Sequence, residues 1–243
     1  MILAAGRGER LRPLTDTCPK PLIKVKNKAL IIYHIEALAK IGIKQIVINL
    51  AYLKDQIQEV LGSGAQWGIE IIYSLEEPVL DTGGGIVQAL PFFQDEPFIL
   101  MSADIWTDYP LEHLYNGVKN KNILNDSCLA HVVLVDNPEY HQQGDFGLRA
   151  NGRITDTREY TYANIGVYKP AFFENCQPGI FPLAPLLYNA IKKGVVTGEY
   201  YTGSWANIGT VEELRAIEKT EKTEKTEKTE KTEKTDITSE RII

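Results

Sequence analysis

The sequence predicts an α/β fold: a Rossmann-like, doubly wound, mixed but mainly parallel sheet, built as one domain over residues 1–217. Three observations lead there. Short β-branched runs alternate with segments of helical apolar spacing, the pattern of strand–helix–strand units. The first apolar run, Ile2 to Ala5, stops at Gly6-Arg7-Gly8, which puts a glycine turn at a strand's carboxyl end, where open sheets of this kind bind ligands. A chain of 243 residues, 44% of them hydrophobic, can bury the core of one such domain.

Taken in order, the turn after the first strand carries the strongest chemical signal. Gly6 and Gly8 let the backbone turn tightly and bring N–H groups close to an anion. Arg10, Arg12 and Lys20 add three cations within a few residues. A dinucleotide fingerprint would need a further glycine where Leu11 stands, and no Gly-Lys-Ser/Thr closes a P-loop. An ordinary strand-to-helix turn remains the bland alternative, but glycines joined by Arg10 and Lys20 point to a polyphosphate.

Ala29 to Ile41 has apolar residues at helical spacing, and Gly42 is placed to end that helix. Ile46 to Leu50 is a buried strand, Asp55 to Leu61 a helix closed by Gly62-Ser63-Gly64, and Ile69 to Tyr73 the next strand. Asp81-Thr82-Gly83-Gly84-Gly85 is a turn before a short helix, Ile86 to Leu90; its glycines imply close backbone approach or a flexible loop. Phe98 to Asp104 is an apolar strand ending in a carboxylate, which is either a ligand-edge aspartate or a turn cap. Asp108 reads as a local cap or a group supporting the site from behind. Cys128 to Val135 is a further strand. His131 and His141 have no metal-ligand spacing and read as packed or surface histidines.

Glu218 to Thr235 repeats Glu-Lys-Thr six times. Its three-residue period offers no apolar stripe, although Glu and Lys four apart support helix locally. Residues 218–243 are expected to be a solvated helical extension, frayed or disordered beyond its first turns.

Bulk charge narrows the partners. The formal net charge of -6 argues against a nucleic-acid binder, which would show a basic surface. Cys18, Cys128 and Cys176 are odd in number and far apart, as expected for reduced thiols in a cytoplasmic protein. No apolar run approaches the roughly 20 residues of a membrane span, and no signal peptide is expected before the first strand.

Leu3-Ala4-Ala5-Gly6-Arg7-Gly8-Glu9-Arg10, followed by Pro19-Lys20-Pro21-Leu22, resembles the signature of the sugar-phosphate nucleotidyltransferases, the NDP-sugar pyrophosphorylases. The resemblance implies a GT-A-like fold and nucleotidyl transfer from a nucleoside triphosphate to a sugar-1-phosphate. It implies that Arg10 and Lys20 are catalytic, and that Leu3, Ala4, Ala5, Gly6, Gly8, Glu76, Thr82 and Gly83 bind the nucleotide. It implies Mg²⁺ on Asp104 and Asn207, and sugar contacts from Gly144, Glu159 and Asn164. Members usually carry a few residues before this strand, so the first strand is expected to be short.

Three positions depart from the family pattern. Asp81 stands where the base-lining turn begins with glycine, and Ala103 precedes the metal aspartate where glycine is usual. Asn207, in Trp205-Ala206-Asn207-Ile208-Gly209-Thr210, replaces the second metal aspartate. An amide oxygen can bind Mg²⁺ but lacks charge, so weaker metal affinity is expected.

Trp106 to Tyr109, Leu134 to Gly147 and Leu183 to Leu187 are similar to a narrower subgroup, the N-acetylmuramate-1-phosphate uridylyltransferases of peptidoglycan recycling. That likeness implies UTP and N-acetylmuramic acid 1-phosphate as substrates; charge and hydropathy lead to the expectation of no nucleic-acid or membrane partner, and the oligomeric state is left open, a monomer being one option. The alternatives are an N-acetylglucosamine-1-phosphate uridylyltransferase and, from another class, a weakened or non-catalytic nucleotide-sugar-binding homologue.

Overall fold

A computed structural model describes residues 1–125 and 127–219. The strands are β1 (Ile2–Leu3), β2 (Lys24–Val25), β3 (Lys28–Ala29), β4 (Gln45–Leu50), β5 (Glu70–Leu75), β6 (Phe98–Ser102), β7 (Ile105–Thr107), β8 (Ala130–Val135), β9 (Phe146–Leu148), β10 (Ile154–Tyr168), β11 (Val196–Tyr200) and β12 (Trp205–Asn207). The helices are α1 (Leu30–Lys40), α2 (Lys54–Leu61), α3 (Asp81–Ala89), α4 (Leu111–Lys119) and α5 (Ala184–Lys192), with a further helical segment over 211–219.

Among the described residues, the main sheet runs β11-β8-β10-β6-β1-β4-β5, with β9 paired to β10. β6, β1, β4 and β5 are parallel neighbours; β10 runs antiparallel between β6 and β8. The sheet is therefore mixed, as the sequence predicts. Successive strand residues face opposite ways, and both faces are apolar because helices cover both. Ile46, Ile48 and Leu50 pack with Ile31 and Ile35 of α1 and Ile57 of α2 on one side. Val47 packs with Ile86 of α3 and Leu187 of α5 on the other.

A third apolar cluster lies off the sheet. Leu11, Ile23 and Val25, from the basic turn and the segment after it, meet Ile208, Leu214 and Ile217. Ile208 follows β12, and the last two residues belong to the 211–219 segment. Segments far apart in the sequence are joined there.

The first strand ends earlier than Ala5. Beyond Leu3, the Ala4 N–H turns to the side-chain oxygen of Asn49, at 2.9 Å, and leaves the ladder. The triple glycine is not a turn preceding a helix but the opening of α3 itself. Helix 211–219 contains Glu218, where the Glu-Lys-Thr repeat begins; residues 220–243 lie outside the described part. No helix among the described residues is long and apolar enough to cross a membrane.

Candidate active site

The exits of β1, β4 and β5 are tied by a buried polar relay. Asn49, at the end of β4, accepts from Ala4 N and donates to Glu76 Oε1 at 2.8 Å. Glu76 Oε2 accepts from Leu80 N at 2.9 Å. This relay fixes the floor of a cavity of about 470 Å³ lined by Leu3, Ala4, Ala5, Gly6, Gly8, Lys20, Glu76, Thr82 and Asp104, among others. Nine residues singled out from sequence thus come together. Glu76 is buried and both its oxygens already have protein partners, so its first role is to hold the floor.

The two glycines of the turn differ in kind. Gly8 has φ of 70°, and a Cβ there would sit 3.1 Å from the stem of Lys20, so glycine is needed for both conformation and room. A Cβ on Gly6 would meet no protein atom within 4 Å. Its missing side chain leaves open space for something outside the protein. Thr15 Oγ1 donates to Gly8 O at 2.9 Å and steadies the turn.

Lys20 Nζ lies 2.5 Å from Asp104 Oδ2, with both side chains mostly sheltered. Asp104 sits in the tight connection between β6 and β7. Its carbonyl accepts from Ile208 N at 2.8 Å, and Asn207 pairs with Ile105 across β12 and β7. The two expected metal ligands are thereby neighbours. Asn207 Oδ1 is buried and has no hydrogen-bond partner, an arrangement that leaves a lone pair unused at a cost. No group of three or more His, Cys, Asp or Glu side chains among the described residues is arranged to hold a metal ion. Any cation here would have two protein ligands, with its remaining positions open to substrate and water, which suits Mg²⁺.

Behind Asp104, the ring of His34 is buried, and burial pushes its pKa down to about 4 against the opposing charge of Asp104. It therefore stays neutral. Arg10 lines neither cavity; it is exposed, and its guanidinium lies against Gly209, where a Cβ would be 2.7 Å from Nη2. Arg12 is engaged with Asp16 at 2.6 Å.

A second cavity, about 300 Å³, shares Leu3, Thr82 and Ser102 with the first and adds Asn207. Its other polar residues include Tyr140, His141, Asp145, Thr161, Tyr162, Asn164 and Tyr188, over apolar Leu100, Phe146, Leu183 and Leu187. Asn164 reaches it because β10 is irregular between Tyr162 and Gly166, with Asn164 at φ 57°. Asp145 is well anchored: Oδ2 accepts from Tyr162 N at 2.9 Å and Oδ1 lies 3.0 Å from His141 Nε2. Burial first, then the nearby Glu213 charge, raises the Tyr140 pKa.

Gly144, Glu159 and Gly83 line neither cavity. Gly144 is buried with φ 67°, packed against Asn137 and the Tyr160 backbone, so it shapes the β8–β9 connection. Glu159 is exposed, its carboxyl carbon close over Gly147. The Gly83 N–H is already bonded to Phe181 O at 2.9 Å. Sequence reasoning missed Asn49, Tyr140, Asp145 and Ile180. Only Asn49, a lone amide in the run Ile46 to Leu50, carries a local signal.

The sequence matches the Nucleotidyl transferase family over residues 1–224. The chain belongs to that family. Within it, the chain is 40% identical over 222 residues to an N-acetylmuramate alpha-1-phosphate uridylyltransferase of Neisseria meningitidis serogroup B, covering 88% of this chain and 94% of the relative. It is 31% identical to a Caulobacter vibrioides protein of the same description, covering 90% and 94%. A putative glucose-1-phosphate thymidylyltransferase from Bacillus anthracis shares the fold, with a TM-score of 0.79 at 20% identity, over 89% of this chain and 92% of that one. The likeness to that structure is one of fold: the mixed, mainly parallel sheet described above.

Proposed function

We propose that the protein transfers a uridylyl group from UTP to N-acetylmuramic acid 1-phosphate, giving UDP-N-acetylmuramate and pyrophosphate. The observation that carries this reading is the junction of two cavities, sharing Leu3, Thr82 and Ser102, with the Lys20–Asp104 pair lining the first and Asn207 the second. Two adjoining berths, one of them lined by a fixed cation, suit a reaction between two phosphates. The choice of sugar and base is supported by the description of the relative that is 40% identical. UTP is a cytoplasmic substrate, which favours a cytoplasmic location, and the sugar in the relative's description favours a role in peptidoglycan recycling.

In this reading the sugar-phosphate oxygen attacks the α-phosphorus of UTP, and pyrophosphate departs in line. The nucleophile's second pKa is near ~6, so it is largely ionised without a general base. The chain's residues supply alignment and charge. Lys20 neutralises the α-phosphate and the incoming phosphate. The backbone from Gly6 to Gly8 receives the β- and γ-phosphates, and Arg10, on the far side of that turn against Gly209, adds a cation to them. Asp104 and the unpartnered Asn207 oxygen are hard donors that would hold Mg²⁺, and the bound ion would supply further neutralisation at the transferring phosphate.

On the sugar side, Asn164, Thr161 and Tyr188 offer partners to hydroxyls and an acetamido group, and Phe146, Leu183 and Leu187 offer a wall for methyl groups. His141, oriented by Asp145, lines this cavity and offers a ring N–H to the substrate's carboxylate. Gly144 and Glu159 then act by shaping the loop around the sugar.

Pyrophosphate release with UTP and N-acetylmuramic acid 1-phosphate, beside every other pairing of nucleoside triphosphate and sugar-1-phosphate, tests the reading. Release that is fastest with N-acetylglucosamine 1-phosphate would reassign the sugar. No release with any pair would leave a binding homologue.

A further inference from the structure

Three consecutive glycines open α3, yet none of them has a positive φ. A helical glycine costs up to about 1 kcal/mol against alanine, so another need must keep them there. A Cβ on Gly83 would lie 2.5 Å from the ring of Phe181, and one on Gly84 would lie 2.1 Å from Gly179 O. Both glycines therefore seat the segment 179–183 directly on the helix. Gly85 does the same for the Glu76 carboxylate, at 2.3 Å.

The seating is sewn with hydrogen bonds in both directions. Gly83 N and Gly84 N donate to Phe181 O at 2.9 and 3.1 Å, and Phe181 N donates to Leu80 O at 3.2 Å. Leu183 N donates to Thr82 Oγ1 at 2.8 Å. The strap so held carries Ile180, which lines the first cavity while 65% exposed; Val79, next to the Leu80 anchor, also lines it and is 47% exposed. Two large apolar side chains, one on the strap and one beside its anchor, are thereby exposed at the rim of the same cavity. The glycine turn and Lys20 serve phosphates. An apolar rim serves a flat, poorly hydrated group.

We propose that the strap 179–183 is a wall of the nucleotide cavity, and that Ile180, with Val79, packs on the nucleobase and ribose of the triphosphate. This rests on the reading of the first cavity as the nucleotide berth. The glycine run is then the device that brings a distant strap close enough to touch the base.

The test measures equilibrium binding of UTP and of inorganic tripolyphosphate, each with Mg²⁺, to the full chain and to Ile180→Ser, Ile180→Val and Gly84→Ala. Burial of one apolar side chain predicts that Ile180→Ser weakens UTP binding by about five- to tenfold, and tripolyphosphate binding by less than about twofold. Ile180→Val should restore most of the loss. Gly84→Ala, which displaces the strap, should weaken UTP in the same selective way while the thermal melt confirms a folded chain. Unchanged UTP binding in Ile180→Ser overturns the wall assignment. If the unaltered chain binds UTP no better than tripolyphosphate, the base has no berth here, and the nucleotide reading falls together with the strap.

Discussion

Lys20 and Asp104 are 12% and 27% exposed, so each is the other's main charge partner until substrate arrives. Lys20→Ala and Asp104→Ala are expected to lower kcat by about a hundredfold or more, from the loss of a cation or its orientation at the reacting phosphates. Circular dichroism should show both variants folded; a near-normal rate in either defeats the assignment. Gly6→Ala is a cleaner probe of the triphosphate berth, because the new methyl meets no protein atom within 4 Å. Its melting temperature should hold while KM for UTP rises; an unchanged KM means that nothing approaches the turn there. Asn207→Asp should increase activity at low Mg²⁺ by restoring the charge that the amide lacks, and a Mg²⁺ titration that superimposes on the parent's excludes a weakened metal site. Gly6, Gly8, Lys20 and Asp104 were legible in the sequence because each depends on its immediate neighbours: a glycine turn, a strand end, a carboxylate after apolar residues. Ile180, Tyr140 and Asp145 were not, because nothing around them in the chain says which cavity they will reach.

Elements tell the same story with different causes. The strands and helices follow from periodicity, so Ala29 to Ile41 and Ile46 to Leu50 are found within a residue as α1 and β4. Periodicity fails where packing overrides propensity. Gly83 to Gly85 should resist helix, yet they lie within α3, and glycine is required there because Phe181, Gly179 and Glu76 occupy the space that side chains would fill. A local signal went unused at the 211–219 segment. Thr210-Val211-Glu212-Glu213 is a capping box: Thr210 Oγ1 accepts from Glu213 N at 3.2 Å, and Glu213 Oε2 accepts from Thr210 N at 2.8 Å. The same carboxylate takes Gly209 N at 2.6 Å, on the shelf under Arg10. Thr210→Ala is expected to cost about 1 kcal/mol, seen calorimetrically as a drop of about 2–4 °C in Tm for a chain of this size. An unchanged Tm would show that the cap does not hold this segment.

At the scale of the molecule, the glycine turn and β12 are packed together because Leu11, Ile23 and Val25 share an apolar cluster with Ile208, Leu214 and Ile217. The same burial that builds the cores sets the response to acid. His34 and His131 are both buried with pKa values pushed down to about 4, by desolvation first; beside His131, the His113 charge acts the same way. In the unfolded chain both return to about 6.5. Above that value each ring is neutral in both states and neither affects stability. As pH falls from 6.5 towards 4, the unfolded chain takes up protons that the folded one refuses, so stability is lost across that window and the loss is complete below it. Each histidine accounts for a loss on the order of 3 kcal/mol at full protonation. His131 is the better one to replace, since its Nδ1 meets only Thr197 Oγ1, at 2.9 Å, while its Nε2 has no partner. His131→Phe keeps an aromatic ring, somewhat larger than imidazole, and removes the proton site. Melting temperatures between pH 7 and pH 4.5 should therefore fall less steeply for His131→Phe than for the parent, whatever their offset at pH 7. Parallel curves would mean that this ring takes up its proton without unfolding and that acid acts on the molecule elsewhere.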